Sequence, residues 1–325
     1  MKKNSTIIII FFVLIITTFF VYKQTNKPRD LSLSPYQIAF IRMKEGGQFW
    51  GSMRNGAREA RTNTSTIVDF FSTVNALDTD VQIEFVERAI EKKVDAIVIT
   101  PSDNQALIEP LRKASDNGIK IVQLFNEVKD DTISNSYSVL TNTKEIGTKL
   151  ATELIKKYPD ERVNILLVSR SAAISSSRYM EEGIMEKLKN VSNINCNSLY
   201  AGSDVNLIRD RIQNYLDNYQ TINCIIALDD DTSEGISKYF NTVKDKGDIE
   251  YIATSHSLSN IQNLEMGIID ELLIINSFAM GYQGVYTANE ILNGNIPKEQ
   301  KIDYILVTKE TMFDEDVQRK LFVIY

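Results

Sequence analysis

From Tyr36 to Thr308, short and nearly continuous apolar runs alternate with amphipathic stretches, and that alternation leaves few folds open. The runs at 38–43, 66–71, 96–100, 120–125, 162–168, 193–200, 224–228, 249–254, 272–276 and 304–308 read as strands. Between them lie helical stretches. Val81, Phe85, Ala89 and Ile90 recur at helical spacing, as do Ile146, Leu150 and Leu154. Alternating β and α elements build parallel sheets covered by helices on both faces, and strands buried on both faces carry little polar alternation. There are too many units for one compact sheet. The expected fold class is therefore α/β, with two doubly wound parallel-sheet domains.

Open parallel sheets bind ligands beyond the carboxyl ends of their strands. Gly46-Gly47-Gln48-Phe49-Trp50 follows the first run, Thr100-Pro101-Ser102-Asp103 the third and Phe125-Asn126-Glu127 the fourth. Later ends carry Ser169-Arg170-Ser171, leading into Ser175-Ser176-Ser177-Arg178, then Asp229-Asp230-Asp231 and Ser255-His256-Ser257. Aromatic rings, cations, carboxylates and amides thus gather on the loop side of both sheets. Each has a plainer reading. Phe49 and Trp50 open a helix, where an aromatic is commonly core. One of the three aspartates suits a helix N-cap, which leaves another free to face a cleft. Arg178 can be a solvated charge, and His256 a satisfied structural histidine.

The chain begins with an uncharged apolar run from Ile7 to Val21 behind Lys2 and Lys3. Lysines before such a segment stay cytoplasmic, which places the remainder outside the membrane. A spanning helix needs about 20 apolar residues, so Thr6 and Tyr22 would sit at the interfaces. No small-residue cleavage pattern follows Val21, and no cysteine stands there to take a lipid. The expectation is an uncleaved signal anchor and transmembrane helix over 1–23, with an atypically cleaved signal peptide as the alternative. Residues 24–35, polar and bearing two prolines, read as a linker.

A net charge of -7 argues against a nucleic-acid partner, which would favour a basic face. Cys196 and Cys224 lie in strand-like runs. A disulfide is open to them outside the cell, but free buried thiols are the commoner outcome. His256 is the sole histidine, so a site built on several histidines is excluded. No metal set, phosphate loop or nucleophile–base pair is visible. Neither a metal nor a cofactor is expected, and the chain does not read as an enzyme.

From about Ile38 to Thr308 the chain resembles the type I periplasmic sugar-binding proteins, the ribose-, galactose- and xylose-binding group. The stretch from Gln82 to Pro101 carries most of the likeness: a helix, then Val94-Asp95-Ala96-Ile97, a strand and a proline loop. Phe49-Trp50 with Asn55-Gly56-Ala57 and Glu59-Ala60 resembles the family's first loop and helix. Thr141-Asn142 resembles its hinge, and Phe278-Ala279-Met280-Gly281-Tyr282 its late helix start. The resemblance implies two domains joined by a three-crossing hinge, over 36–139 plus 276–302 and over 140–275 plus 303–325. It implies a sugar held between aromatic faces and bonded by charged and amide groups. Phe49 and Trp50 fall on the stacking positions, Arg178 on the second domain's arginine and Asp229 on its asparagine or aspartate. Phe125-Asn126 stands where the family has Asp-Arg, and His256 where it has a late-strand aspartate. The cleft glutamine falls on Ile275 or, by a one-residue slip, on Asn276. These departures imply a ligand less polar than a common sugar, or one bound more weakly, or none. The candidate ligand-binding residues are thus Phe49, Trp50, Asn126, Arg178, Asp229, His256 and Asn276.

The leading expectation is a membrane-anchored, extracytoplasmic binding protein for a small ligand, a monosaccharide by the resemblance. It would report cleft closure to a membrane sensor kinase. The alternative is the solute-binding component of a sugar ABC importer, with an ABC permease as partner.

Overall fold

The computed structural model describes residues 35–321 apart from 45–46, 219–220, 244–245 and 299. The expected anchor over 1–23 and, but for Pro35, the linker lie outside the described residues. Among the described residues no helix is long and apolar enough to cross a membrane.

Two sheets organise the chain. The first holds β1 (Gln37–Arg42), β2 (Ile67–Ser72), β3 (Ala96–Ile99), β4 (Lys120–Leu124) and β5 (Ser136–Val139), in the order β2-β1-β3-β4-β5. All its pairings are parallel, with Ile41 beside Phe71 on one side and Ile99 on the other. The second holds β6 (Val163–Ser169), β7 (Ile194–Tyr200), β8 (Cys224–Ala227), β9 (Glu250–Thr254), β10 (Glu271–Ile275) and β11 (Tyr304–Thr308), in the order β11-β10-β9-β8-β6-β7.

Each of the ten apolar runs forms a strand. Two features depart from the sequence expectation. β5, Ser-Tyr-Ser-Val, is a short and largely polar edge strand that carries no apolar run to announce it. β11 pairs antiparallel with β10. The helix before β11 crosses to the other sheet, so β11 is not the second strand of a right-handed crossover and no rule makes it parallel.

Both faces of each sheet are covered. Along β1, Ile38 and Phe40 enter one apolar cluster with residues of α1 (Gln48–Thr64) and α9 (Ser277–Leu292). Ala39 and Ile41 enter the opposite one, against α2 (Thr79–Glu91) and α3 (Ile108–Asp116). In the second sheet Ile165 and Leu167 pack on α4 (Thr143–Lys157) and α5 (Ser175–Leu188). Leu166 and Val168 pack on the side of α6 (Val205–Asn218), α7 (Asp230–Phe240), α8 (Leu258–Glu265) and α10 (Glu315–Leu321). In α2 the buried stripe is Gln82, Val86 and Ala89, whereas Val81 is exposed. Gln82 earns its burial by holding the loop after β3: its Nε2 donates to the Thr100 carbonyl at 2.9 Å and its Oε1 accepts from Ser102 N at 2.9 Å.

The chain passes between the sheets three times: from β5 to α4, from β10 to α9, and from α9 to β11. These strands of chain lie side by side. Leu140 bridges Lys301, Ile302 N donates to the Leu140 carbonyl at 3.3 Å, and Asn276 N to the Asp303 carbonyl at 3.0 Å. Beside the crossings each half has one tight helix pair made by reciprocal glycines. A Cβ on Gly56 of α1 would lie 2.0 Å from the Phe278 carbonyl oxygen, and one on Gly281 of α9 1.8 Å from that of Met53. Gly147 of α4 and Gly183 of α5 repeat the arrangement, each 2.1 Å from the other helix's backbone.

Cys196 and Cys224 are free thiols on β7 and β8, flanking Ile165 of the strand between them. Burial pushes the Cys196 thiol up to about 12, so it stays protonated and unreactive.

The glycine contacts yield a stability contrast. Gly281→Ala sets a methyl against a carbonyl that cannot yield and should cost about 3 kcal/mol. Gly51→Ala, in open space within α1, should be neutral or stabilise by up to about 1 kcal/mol. Chemical unfolding of the two variants beside the parent checks this.

Candidate functional site

The carboxyl ends of the two sheets face each other across one cavity, lined by Phe49, Trp50, Phe125, Arg170, Asp229, Asp230, Thr254, Ser255, His256, Leu273 and Ile275. The first half contributes the rings. Gly47 turns the chain with a positive φ of 93° into α1, and the first turn of that helix presents Phe49 and Trp50. Their rings meet edge to face at 4.9 Å, and Phe49 meets Phe125 at 5.2 Å. Phe125 adopts a φ of 63°, unusual for a bulky residue. Buried Arg42 braces the platform from below, donating from Nη1 to the Trp50 carbonyl at 3.1 Å.

The second half contributes the charges. Arg170 ends β6 and is 4% exposed, with Nε 3.2 Å from Asp229 Oδ1 and Nη1 3.4 Å from Asp231 Oδ2. Burial works against its charge, but Asp229, Asp231 and Asp230 outweigh that and hold it above its ordinary value. Asp229 is the N-cap of α7. Its Oδ1 accepts from Thr232 N at 3.1 Å, while its Oδ2 accepts from the Arg170 backbone N at 2.9 Å. Asp230 joins none of the ion pairs among the described residues; its Oδ1 accepts from the Ser255 hydroxyl at 2.5 Å. Burial, only partly relieved by that bond and reinforced by Asp231 and Glu234, lifts its carboxyl to about 6.

His256 is 5% exposed. Its Nε2 donates to the Leu321 carbonyl at 3.4 Å and its Nδ1 has no partner. Burial lowers its pKa, so the ring is neutral at pH 7 with Nδ1 as an acceptor.

The halves are drawn together. Lys44 Nζ lies 2.5 Å from Asp231 Oδ1. Ser176 N donates to Asn126 Oδ1 at 3.1 Å, and Glu127 N to Ser175 Oγ at 2.8 Å. Ile174, in the loop before α5, packs into the first half's core with Phe49 and Phe125. The free volume left in the cavity is about 20 Å³, enough for one water. A small-molecule pocket has roughly 300–1,000 Å³, so the cavity as it stands has no room for one.

Of the seven residues singled out from the sequence, Phe49, Trp50, Asp229 and His256 line the cavity. Three do not. Arg178 sits on α5, ion-paired to Glu182 at 2.8 Å and stacked on Tyr179 at 4.6 Å; the cavity's arginine is Arg170. Asn126 is fully buried but spent, with Nδ2 on the Pro101 carbonyl at 2.9 Å and Oδ1 on Ser176. Asn276 is exposed and caps α9, accepting from Ala279 N at 2.9 Å; the cavity position is Ile275. Phe125, Arg170 and Asp230 lacked only a register. All three stand at strand ends quoted above, but nothing in the sequence says which neighbour turns inward.

This arrangement has known counterparts. Residues 38–296 match the periplasmic binding protein domain. The chain belongs to that family. It is similar to a D-allose-binding periplasmic protein of Escherichia coli K12, with 22% identity over 277 residues that cover 80% of this chain and 88% of that one. Its fold is similar to that of an ABC transporter solute binding protein from Agrobacterium vitis with bound D-fucose. The TM-score is 0.82 at 22% identity, over 88% of this chain and 100% of the other. A second solute binding protein from that organism, bound with alpha-D-tagatopyranose, gives 0.81 at 20% identity, over 88% and 99%. The resemblance seen in the sequence is thereby borne out, and these relatives are binding proteins rather than enzymes.

Asp230 generates a pH prediction. Its carboxyl ionises near 4 when unfolded and near 6 when folded. The folded state therefore incurs no penalty from it below about pH 4. Stability is lost as pH rises through 4–6, and the penalty is full above that. Asp230→Asn keeps an acceptor for Ser255 and removes the penalty. A two-unit shift implies about 3 kcal/mol, and the partly exposed edge of the side chain reduces this to about 1–2 kcal/mol. The variant should gain that much at pH 7.5 and nothing at pH 4, as read from chemical unfolding at the two pH values.

Proposed function

We propose that the protein is an extracytoplasmic receptor that takes a monosaccharide into the cleft between its two halves and presents the closed form to a membrane partner. The carrying observation is the cavity itself. Three aromatic rings from one half face Arg170, Asp229 and Asp230 of the other. A pyranose has apolar C–H faces that suit rings and a belt of hydroxyls that suits charged partners. Kinship to proteins described as sugar-binding supports the ligand class. The moving bodies on this reading are 36–139 plus 276–302 and 140–275 plus 303–325, hinged at the three adjacent crossings. The binding residues are Phe49, Trp50, Phe125, Arg170, Asp229, Asp230 and His256.

For the partner, kinship to ABC transporter solute binding proteins favours a permease. A sensor kinase is the second reading. It is favoured by the apolar run from Ile7 to Val21, which as a retained anchor over 1–23 would hold the receptor beside one fixed partner.

The test is a thermal-shift and calorimetric screen of the full chain in detergent against pentoses, hexoses and deoxyhexoses. A true ligand at 100 times its Kd should stabilise the chain by about 2.7 kcal/mol. Trp50→Ala should weaken binding at least tenfold, while Arg178→Ala should bind as the parent does. Silence across the panel, or an Arg178 effect exceeding that of Trp50, would overturn the assignment. The anchor has its own check. Mass spectrometry of the membrane fraction should recover the Lys2–Lys3 end, and a mature N-terminus between 22 and 35 would show cleavage instead.

A further inference from the structure

The polar complement of the cavity is unbalanced. Three of its groups accept: the Asp229 and Asp230 carboxylates, and the Nδ1 of His256, which is buried and without a partner. Its one cation, Arg170, stands in ion pairs with Asp229 and Asp231, although its Nε and Nη1 complete no hydrogen bond, and the rim cation Lys44 pairs with Asp231. Among the described residues, Asp230 is left as a cavity carboxylate whose only bonded partner is a neutral hydroxyl. A carboxylate largely withdrawn from water and outside any ion pair favours a cation beside it. A sugar hydroxyl brings one donor together with lone pairs that need donors in return. An ammonium brings three N–H donors and no acceptor. It supplies the positive charge that Asp230 lacks.

The opposite wall points the same way. Phe49, Trp50 and Phe125 form a contiguous ring cluster on the cavity. Aromatic faces attract cations, with tryptophan the best of them, and the attraction strengthens where water is excluded. The two walls also converge. A Cβ built on Gly47 would lie 3.6 Å from Trp50 Cδ1 and 3.7 Å from Asp230 Oδ2. The indole edge and the free carboxylate oxygen thus meet at one spot, which a glycine leaves open. Ile275 and Leu273 present only hydrocarbon to the cavity and offer hydroxyls no polar side chain.

We propose that the ligand of this cleft is an amino-substituted monosaccharide, whose ammonium group is seated between the Phe49–Trp50–Phe125 ring cluster and the Asp230 carboxylate. This rests on the monosaccharide reading above and narrows it. Selectivity for the amine over the parent sugar comes from Asp230, and the rings add to it without distinguishing the sugar's stereochemistry.

Calorimetry on the full chain in detergent at pH 7 tests this. Neutral aldohexoses are compared with their amino-deoxy counterparts and with the N-acetylated forms, which keep the shape and lose the charge. At least one amino sugar should bind tenfold or more tighter than its neutral parent, and its N-acetyl form should lose that advantage. In Asp230→Asn, checked for folding by circular dichroism, the preference should fall below about threefold. Neutral parents that bind as tightly as every amino counterpart would overturn the proposal and leave the monosaccharide reading standing. So would a tenfold amine preference that survives Asp230→Asn. Binding by neither class would sink both.

Discussion

The second half of the cleft hangs on one buried carboxylate. Asp229 caps α7 through Thr232, accepts the backbone N–H of Arg170 and lies against the Arg170 guanidinium. Those contacts tie the carboxyl end of β6 to that of β8 and to the helix that follows. A cation buried as deeply as Arg170 is tolerated only because carboxylates surround it. Removing one partner of such a set typically costs about 3–5 kcal/mol, since the other charge is left stranded. The pairing is therefore first a structural device. It aims α7 so that its first residue, Asp230, faces the cavity rather than solvent. What Asp230 offers a ligand depends on what Asp229 does for the helix.

Among the described residues the first half shows no such charge cluster at its strand ends, and it uses packing instead. Gly56 and Gly281 let α1 and α9 approach until backbone meets backbone, which fixes the direction in which the first turn of α1 points. Phe49 and Trp50 are displayed from that turn. Because α9 enters from the crossing after β10, the same glycine contact links the aromatic platform to the hinge. Gly147 and Gly183 perform the equivalent task for α4 and α5. Each half thus has its own tight helix pair, and on the proposed reading the two halves move about the three crossings.

The fold was legible because burial on both faces of a parallel sheet leaves uninterrupted apolar runs, and ten of eleven strands carry one. β5 escaped since an edge strand of four residues needs no such run. The site was legible only to the level of strand ends. Strand ends mark which loops face the cleft, but a loop of a few residues can turn any of them inward. Arg170 and Arg178 illustrate the limit. Both lie on the loop side after β6, and family likeness favours the latter. Glu182, one turn along α5, and the ring of Tyr179 satisfy Arg178 locally, whereas Arg170 has the aspartates across the sheet. Asn126 and Asn276 stand where the family likeness puts cleft residues, yet backbone groups take both ends of the Asn126 amide and the oxygen of the Asn276 amide. Local satisfaction of a polar group is a three-dimensional fact that residue type does not carry.

Closure sets the remaining constraint. Asn126 with Ser176, Glu127 with Ser175, Lys44 with Asp231 and the seating of Ile174 are all protein–protein contacts between the halves, and they leave room for one water. On the proposed function, a ligand exchanges some of these contacts for its own, and it shifts the open–closed equilibrium only by its differential affinity for the two forms. Direct closing contacts weaken the observed affinity by the fraction of molecules already shut. They also sharpen selectivity, because a ligand that fails to restore the electrostatics around Asp230 gains little over the closed cleft it displaces. The same residues that shut the cleft thus set the threshold any ligand must clear.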